Sequence, residues 1–283
     1  MKWSTGRRSG NVIDARGGGG GMGMPIAGGG IGMAVLALVV YLLGGDPSVV
    51  TNLPTNQGAP AHAPGPAQSG PPDEGSEFVR VVLGDTEDTW NEIFKKNGRD
   101  YPEPQLVLFS GAVRSGCGLA QSAMGPFYCP QDQRVYIDLD FYRQLRDKFG
   151  AGGDFAQAYV IAHEVGHHVQ TVLGVSDQVR DAQQGAGRRG ANALSVRMEL
   201  QADCFAGVWA NHADTARKVV EPGDIEEALN AASAIGDDKL QRATQGQVVP
   251  ESFTHGSSAQ RMGWFKRGYE SGDPNTCDTF KQG

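Results

Sequence analysis

One short stretch constrains this chain more than any other: residues 162–168 contain the pattern His-Glu-x-x-His. On a helix, side chains four positions apart lie on one face, so the imidazoles of His163 and His167 can reach the same metal ion. Zinc accepts neutral imidazole nitrogens tetrahedrally, and a catalytic site keeps one position for water, whose pKa the ion lowers toward ~7. Glu164 lies beside this face and is the candidate base that takes the proton.

The surrounding residues predict that the motif lies on a buried helix. Asp154 and Gln157 have the spacing of a capping box, and Gly174 after Leu173 is a stop signal. The apolar residues between them recur with helical periodicity: Phe155, Ala158, Ile161, Ala162, Val165, Val169 and Val172. The alternative is a surface helix with two solvated histidines. A helix this apolar belongs in a core, which favours histidines that face an interior cleft.

A catalytic zinc needs a third protein ligand. The downstream candidates are Glu199, Asp203, His212 and His255. Residues 194–210 have a second helical pattern, on which Glu199 and Asp203 lie four apart on one face. Two stacked carboxylates repel each other, and zinc with its two histidines would offset that repulsion. We therefore predict that Glu199 binds the metal and that Asp203 accepts a hydrogen bond from the free ring N–H of His163 or His167.

Composition divides the 283 residues into four parts. Residues 1–21 are polar, basic and glycine-rich, and are predicted to be disordered. Residues 22–45 contain no charge and are long enough to cross a bilayer as one helix. Residues 46–75 are rich in proline, glycine and alanine, as expected of an extended linker. Residues 76–283 are predicted to form the folded domain.

Charge predicts the orientation of that membrane helix. The first 45 residues are net positive although the whole chain carries −7, so the N-terminus is expected in the cytoplasm and the domain outside the cell membrane. A cleaved signal peptide is the alternative, but no convincing cleavage site follows Leu43. The acidic remainder disfavours nucleic acid as a partner. The oligomeric state is left open.

The domain is predicted to be α+β, mainly helical, with a small sheet. One short helix is expected around Phe78 and a second after Asp85. Residues 106–109 form an apolar run typical of a buried strand, and residues 127–129 and 135–137 flank a polar turn, as in a hairpin. A small sheet before the motif helix would let an edge strand lie beside the zinc and pair with an extended peptide.

Four cysteines follow the predicted membrane helix. Their even number and their predicted oxidising location favour two disulfides over free thiols. Three pairings are possible. Cys117 with Cys129 would close a glycine-rich loop, and Cys204 with Cys277 would tie the C-terminal tail to a core helix.

These motifs resemble a known family. His163-Glu164-x-x-His167 followed by Glu199-x-x-x-Asp203 is similar to the gluzincin class of zinc metallopeptidases. The wider pattern resembles a bacterial family of neutral zinc metallopeptidases with an N-terminal membrane anchor. Its further matching features are Cys117-Gly118, residues 125–130 and 135–138, His255-Gly256 and Trp264-Phe265. The resemblance covers residues 76–280 and the anchor, and it implies a zincin-like domain. It departs from metzincins, since Gln170 and Leu173 replace their glycine and third histidine.

One more catalytic residue is expected near the cleft. Peptide hydrolysis develops negative charge on the tetrahedral oxygen, which a donor from the protein would stabilise. Ser257 and Gln260 can cap a last helix, which leaves His255 in the turn before it, free to point at the cleft. Tyr136 and Arg261 are competing candidates.

Three functions are compatible with the sequence. The first is an anchored, extracytoplasmic zinc metalloprotease that acts on a peptide or protein, with Glu164 as general base. The second is a non-catalytic, zinc-stabilised binding module of the cell envelope. The third is a zinc hydrolase of a non-peptide amide.

Overall fold

A computed structural model of the protein describes residues 1–16 and 73–281, which form a mainly helical α+β fold with a small sheet. The helices are α1 (Glu74–Lys96), α2 (Asp140–Asp147), α3 (Asp154–Val172), α4 (Val175–Gly185), α5 (Arg188–Thr215), α6 (Asp224–Ala234), α7 (Asp237–Gln245) and α8 (Ser258–Ser271). The strands are β1 (Val12–Asp14), β2 (Gln105–Phe109), β3 (Ala112–Ser115), β4 (Gly118–Gln121), β5 (Phe127–Cys129) and β6 (Arg134–Asp138).

The main sheet has the strand order β1-β2-β6-β5. Strands β1, β2 and β6 run parallel, and β5 pairs antiparallel with β6, with Phe127 opposite Tyr136. The predicted buried strand and the predicted hairpin are thus confirmed. A separate hairpin of β3 and β4 lies between them in the chain. Strand β5 forms an edge of the sheet, as expected for a strand that could receive a peptide.

Helix α3 carries the His-Glu-x-x-His motif and packs against α1, α5 and α6. Phe155 at its start is fully buried and stacks on Trp209 of α5. Gly166 lies inside the motif, where a Cβ would come within 3.0 Å of the Ala202 carbonyl of α5. This small residue lets the two helices that carry the candidate metal ligands approach closely.

Helix α8 is held against α5 by a second close approach. A Cβ on Gly268 would collide with the carbonyl oxygen of Cys204. The predicted capping box at the start of α8 is confirmed, because Ser257 accepts from the backbone of Gln260 and the Gln260 side chain accepts from the Ser257 backbone. Helix α8 thereby brings the His255 turn and Arg261 to the motif helix.

Both predicted disulfides are present. Cys117 and Cys129 join the β3–β4 hairpin to β5, and Cys204 and Cys277 join α5 to the C-terminal segment. These bonds use every cysteine of the chain.

The prediction of two helices near Phe78 and Asp85 is wrong, because a single helix, α1, runs unbroken over these 23 residues. Asp85 does not cap a new helix. Its carboxylate accepts hydrogen bonds from the indole N–H of Trp209 and the guanidinium of Arg217, both at 2.7 Å. The helix also starts before the predicted domain boundary at residue 76.

The prediction that residues 1–21 are disordered is wrong for residues 1–16, which pack on the domain. Strand β1 extends the sheet next to β2. The ring of Trp3 lies edge-on to Phe78, with centroids 5.4 Å apart. Ser9 donates a hydrogen bond at 2.5 Å to Glu87, which is 1% exposed. A polar, basic composition did not reveal these contacts, because each partner lies more than 60 residues away in the chain.

This packing bears on the predicted topology. The guanidinium of Arg16 donates to Asp73 at 2.8 Å, so the chain on either side of residues 17–72 meets at one place. The predicted membrane helix (22–45) and nearly all of the predicted linker (46–75) lie outside the described residues. Among residues 1–16 and 73–281, no helix combines the length and apolarity needed to span a bilayer. Hydrogen-bonded strands cannot lie on opposite sides of a membrane, which argues against a cytoplasmic N-terminus beside an external domain.

We therefore predict that residues 1–16 and the domain are accessible from the same side of the membrane. Ser4 and Lys266 are both exposed, so Ser4→Cys and Lys266→Cys should react together, or be protected together, when intact spheroplasts meet a membrane-impermeant maleimide. The native cysteines are paired and give little background. Labelling of one site without the other would contradict the observed packing. Detergent-lysed cells supply the control for full reactivity.

Candidate metal centre

The two histidines of the motif and one carboxylate of α5 meet in the lining of a cleft. His163 Nε2 lies 3.2 Å and His167 Nε2 lies 3.4 Å from the carboxylate oxygens of Glu199. The three side chains offer ligand atoms that all lie within 4.8 Å of one another. The structure thus brings together the three residues that the sequence predicts as metal ligands, and it leaves His212 outside this group.

Asp203 lies behind His163, where the sequence predicts a hydrogen-bond acceptor. Its Oδ1 is 2.9 Å from His163 Nδ1, and it also accepts from the hydroxyl of Tyr159 at 2.5 Å. Arg261 donates to both carboxylate oxygens, at 2.8 and 2.9 Å. Burial alone would raise the pKa of this fully buried carboxyl, but Arg261 and His163 outweigh it and hold the pKa below its usual range.

Arg261, a competing candidate for the donor to the tetrahedral oxygen, is instead the partner of Asp203. Its side chain is 2% exposed and its guanidinium is committed to Asp203. Sequence reasoning found the arginine but not its partner, since the two lie 58 residues apart. Tyr136, the other competitor of His255, donates its hydroxyl to Asp132 at 2.7 Å and does not line the cleft.

Glu164 is nearly buried, at 7% exposed, and its Oε2 has no hydrogen-bond partner among the described residues. Burial raises the pKa of this carboxyl, although His163 and His167 oppose the shift. A buried, partnerless carboxylate oxygen is costly unless it serves a ligand or a reaction. Because this oxygen belongs to a cleft-lining residue beside two histidines, it is well suited to accept a proton there.

His255 lines the same cleft and is held by Asp237. The Asp237 carboxylate accepts from three successive backbone N–H groups, those of Thr254, His255 and Gly256, at 2.7 to 3.0 Å. Its other oxygen lies 3.2 Å from His255 Nδ1. Burial would lower the pKa of this imidazole, but Asp237 and the nearby charge of Glu199 raise it. A protonated imidazole can donate to developing negative charge.

The cleft is a cavity of about 660 Å³ that is largely apolar away from these polar groups. Phe127 and Tyr128 of the edge strand β5 line it. The apolar residues that line the remainder include Leu119, Met124, Phe141, Phe149, Val160 and Val179. His168 does not line the cleft, and its ring instead bridges the Tyr128 hydroxyl (3.1 Å) and the Pro102 carbonyl (2.6 Å).

The donor set fits zinc. Two imidazole nitrogens and one carboxylate are the ligands of many catalytic zinc sites, which keep a further position for water. Without a metal, the cluster holds protons instead. Burial would lower the pKa of His163, but Asp203 and Glu199 raise it to about 10, and Glu199 raises the pKa of His167 in the same way.

Zinc binding at pH 7 should therefore release protons, because imidazole must be neutral to bind the ion. Since the pKa of His163 is raised, apparent zinc affinity should increase with pH by about tenfold per pH unit for each proton released. The increase should level off near pH 10, where His163 is already neutral before zinc binds. Calorimetry at pH 7 in buffers of different ionisation enthalpy measures the release directly. Glu199→Ala should lose tight binding, and a pH-independent affinity would contradict this account of the site.

Comparison with known proteins agrees with this donor set. The family model described as "Putative neutral zinc metallopeptidase" matches residues 1–280. The chain is 52% identical over 288 residues to "Uncharacterized protein YpfJ" of Escherichia coli, covering 99% of both proteins. It is 48% identical over 217 residues to "Uncharacterized protein Rv2575" of Mycobacterium tuberculosis, covering 73% of this chain and 72% of that protein. No solved structure matches it. The chain belongs to the neutral zinc metallopeptidase family.

Proposed function

We propose that this protein is a zinc metallopeptidase that hydrolyses peptide bonds in a peptide or protein substrate. One observation carries the proposal: Oε2 of Glu164, which has no hydrogen-bond partner among residues 1–16 and 73–281, belongs to a residue that lines the cleft beside the ligand cluster of His163, His167 and Glu199. A metal site that only stabilised the fold would have no use for this fourth, unsatisfied group. Membership of the family supports the same reaction class.

The residues divide the chemistry between them. Zinc held by the three ligands would polarise the scissile carbonyl and lower the pKa of a water toward ~7. Glu164 takes the proton of the attacking water and can pass it to the leaving amine. The raised pKa that burial gives to this carboxyl suits both steps, since it must accept and then release a proton near neutral pH.

His255 is the proposed donor to the oxygen that becomes negative in the transition state. Asp237 fixes the imidazole through Nδ1 and through the backbone of the turn, which leaves Nε2 free to face the cleft. Such a pre-organised donor costs no rearrangement at the moment of reaction. With a side chain 35% exposed, His255 stays within reach of a bound substrate.

The edge strand β5 is the proposed place for the substrate backbone. Among the strands that the structure describes, β6 is its one neighbour, and residues of β5 line the cleft, so an extended peptide can add to it as a further strand. The largely apolar walls favour substrates with apolar side chains next to the scissile bond. A zincin-like fold is part of the same proposal, since it rests on the motif helix next to this strand.

The location of the protein is proposed from its cysteines. Two disulfides that use every cysteine favour an oxidising compartment outside the cytoplasm. The uncharged residues 22–45 are proposed to attach the protein to the membrane from that side, because a single crossing would separate residues 1–16 from the domain. Since residues 1–16 pack on the domain, we place them in that compartment too.

Glu164→Gln tests the mechanism. Glutamine keeps the size of the side chain but cannot accept the proton, so we expect kcat for an unfolded protein substrate to fall by about 10²- to 10⁴-fold. Zinc content should stay at the wild-type value, because Glu164 is not among the three ligands. Wild-type protein with a chelator should be inactive and should recover activity on adding zinc. Full activity in Glu164→Gln would rule out this mechanism.

The same assay separates the rival functions. A zinc-stabilised binding module would bind one metal ion and leave an unfolded protein intact. A hydrolase of a non-peptide amide would also spare it, but would cleave a small amide library in a Glu164-dependent manner.

His255→Ala should lower kcat by about 10²- to 10³-fold, since it removes a donor to the transition state. KM should change much less, because the ground-state carbonyl carries little charge. His212→Ala is the matched control: its imidazole contacts the Gly272 carbonyl at 3.1 Å, away from the cleft, and its activity should equal that of the wild type. An equal effect of both substitutions on kcat would exclude the proposed role.

A further inference from the structure

Gln170 follows His167 by three positions on α3 and is 0% exposed. Its Oε1 lies 2.8 Å from Nδ1 of His167. An amide is costly to bury unless its donors and acceptor are all paired, so the remaining partners of this side chain show what it is built to do.

Both hydrogens of the Gln170 amide are used. Its Nε2 donates to the backbone carbonyl of Met198 at 2.7 Å and to Oε1 of Gln201 at 3.1 Å. A backbone carbonyl can only accept, so the NH₂ group must face Met198 and the oxygen must face the histidine. Because the Gln170 oxygen can only accept, Nδ1 of His167 must carry a proton. In the neutral imidazole the lone pair then lies on Nε2, the nitrogen that faces Glu199.

Gln201 is held in the same way from the other side. Its Nε2 donates to the backbone carbonyl of Cys277 at 3.1 Å, so its Oε1 must face Gln170. Cys277 is fixed to α5 by its disulfide with Cys204. A chain of hydrogen bonds therefore runs from the C-terminal segment through two buried amides to one histidine of the metal site.

We propose that Gln170 is a positioning residue that sets the tautomer and ring orientation of His167 for zinc, and that Gln201 and the Cys277 carbonyl hold Gln170 in its working orientation. The proposal rests on the metal site of the proposed function, but not on the reaction. A carboxylate at position 170 would accept from His167 equally well, yet it would face the Met198 carbonyl and Gln201 Oε1 without a hydrogen to donate. This explains why an amide occupies the position.

The test is the zinc affinity of the full chain, measured by competition with a chromophoric chelator. Gln170→Met keeps the volume but replaces the amide oxygen with a thioether, which is only a weak acceptor, and we expect zinc to bind about 10- to 100-fold more weakly. Gln241→Met is the matched control, since Gln241 is also buried and hydrogen-bonded, to Ser252 and the Val249 backbone, but lies outside the cleft. Its zinc affinity should equal that of the wild type.

Two further measurements keep the outcome clear if Gln170→Met folds poorly. Gln201→Met leaves the NH₂ group of Gln170 with the Met198 carbonyl as its one acceptor while Oε1 still faces His167, so zinc affinity should fall by a smaller factor than in Gln170→Met. In zinc-loaded wild-type protein, ¹⁵N NMR of labelled histidine should show the His167 proton on Nδ1, protected from solvent exchange.

Some results would overturn the proposal. These are metal ligation through Nδ1 of His167, or wild-type zinc affinity in both Gln170→Met and Gln201→Met. Failure of the wild-type protein to bind zinc would instead overturn the proposed metal site. Tight zinc binding without peptide hydrolysis would reject the peptidase and leave the role of Gln170 intact.

Discussion

The buried ion pair between Asp203 and Arg261 is the interaction on which the site depends. Two charges that are 0% and 2% exposed must satisfy each other, and the Tyr159 hydroxyl and His163 Nδ1 complete the shell of the carboxylate. Removing one member of such a pair costs about 3–5 kcal/mol, because the other is left buried and uncompensated. The pair also joins α5 to α8, so the orientation of His163, a candidate metal ligand, is tied to the packing of α8.

The close helix contacts follow from the same requirement. Gly166 and Gly268 let α3, α5 and α8 approach until the charged groups can meet at hydrogen-bond distance. Larger residues at these positions would separate the helices and leave Asp203 without one of its partners. Small residues therefore occur where the chemistry demands proximity, and the bulky aromatic residues Phe155 and Trp209 fill the core farther along α3 and α5.

Local patterns predicted much of this arrangement. Two helical periodicities predicted that His163, His167 and Glu199 can meet, and two short runs that flank a polar turn predicted the hairpin of β5 and β6. The capping box expected at Asp154 failed for a long-range reason: this carboxylate binds the α-amino group of Met1 at 2.8 Å instead. The packing of residues 1–16, the pairing of Arg261 with Asp203 and the position of Gln170 behind His167 were not predicted either. Each depends on contacts between distant parts of the chain.

The two histidines are supported by groups of different charge, and this difference has a chemical consequence. His163 is backed by the carboxylate of Asp203, whose charge Arg261 balances, whereas His167 is backed by the neutral amide of Gln170. Arg261 balances the charge of Asp203. Glu199 would therefore be the one negative charge among the three ligands of a divalent ion. The ion and its three ligands would by themselves carry a net positive charge, which would favour ionisation of a water and attraction of a carbonyl oxygen. A second carboxylate in place of Gln170 would weaken both effects, so the neutral amide helps to preserve the electrophilic character of the proposed zinc site.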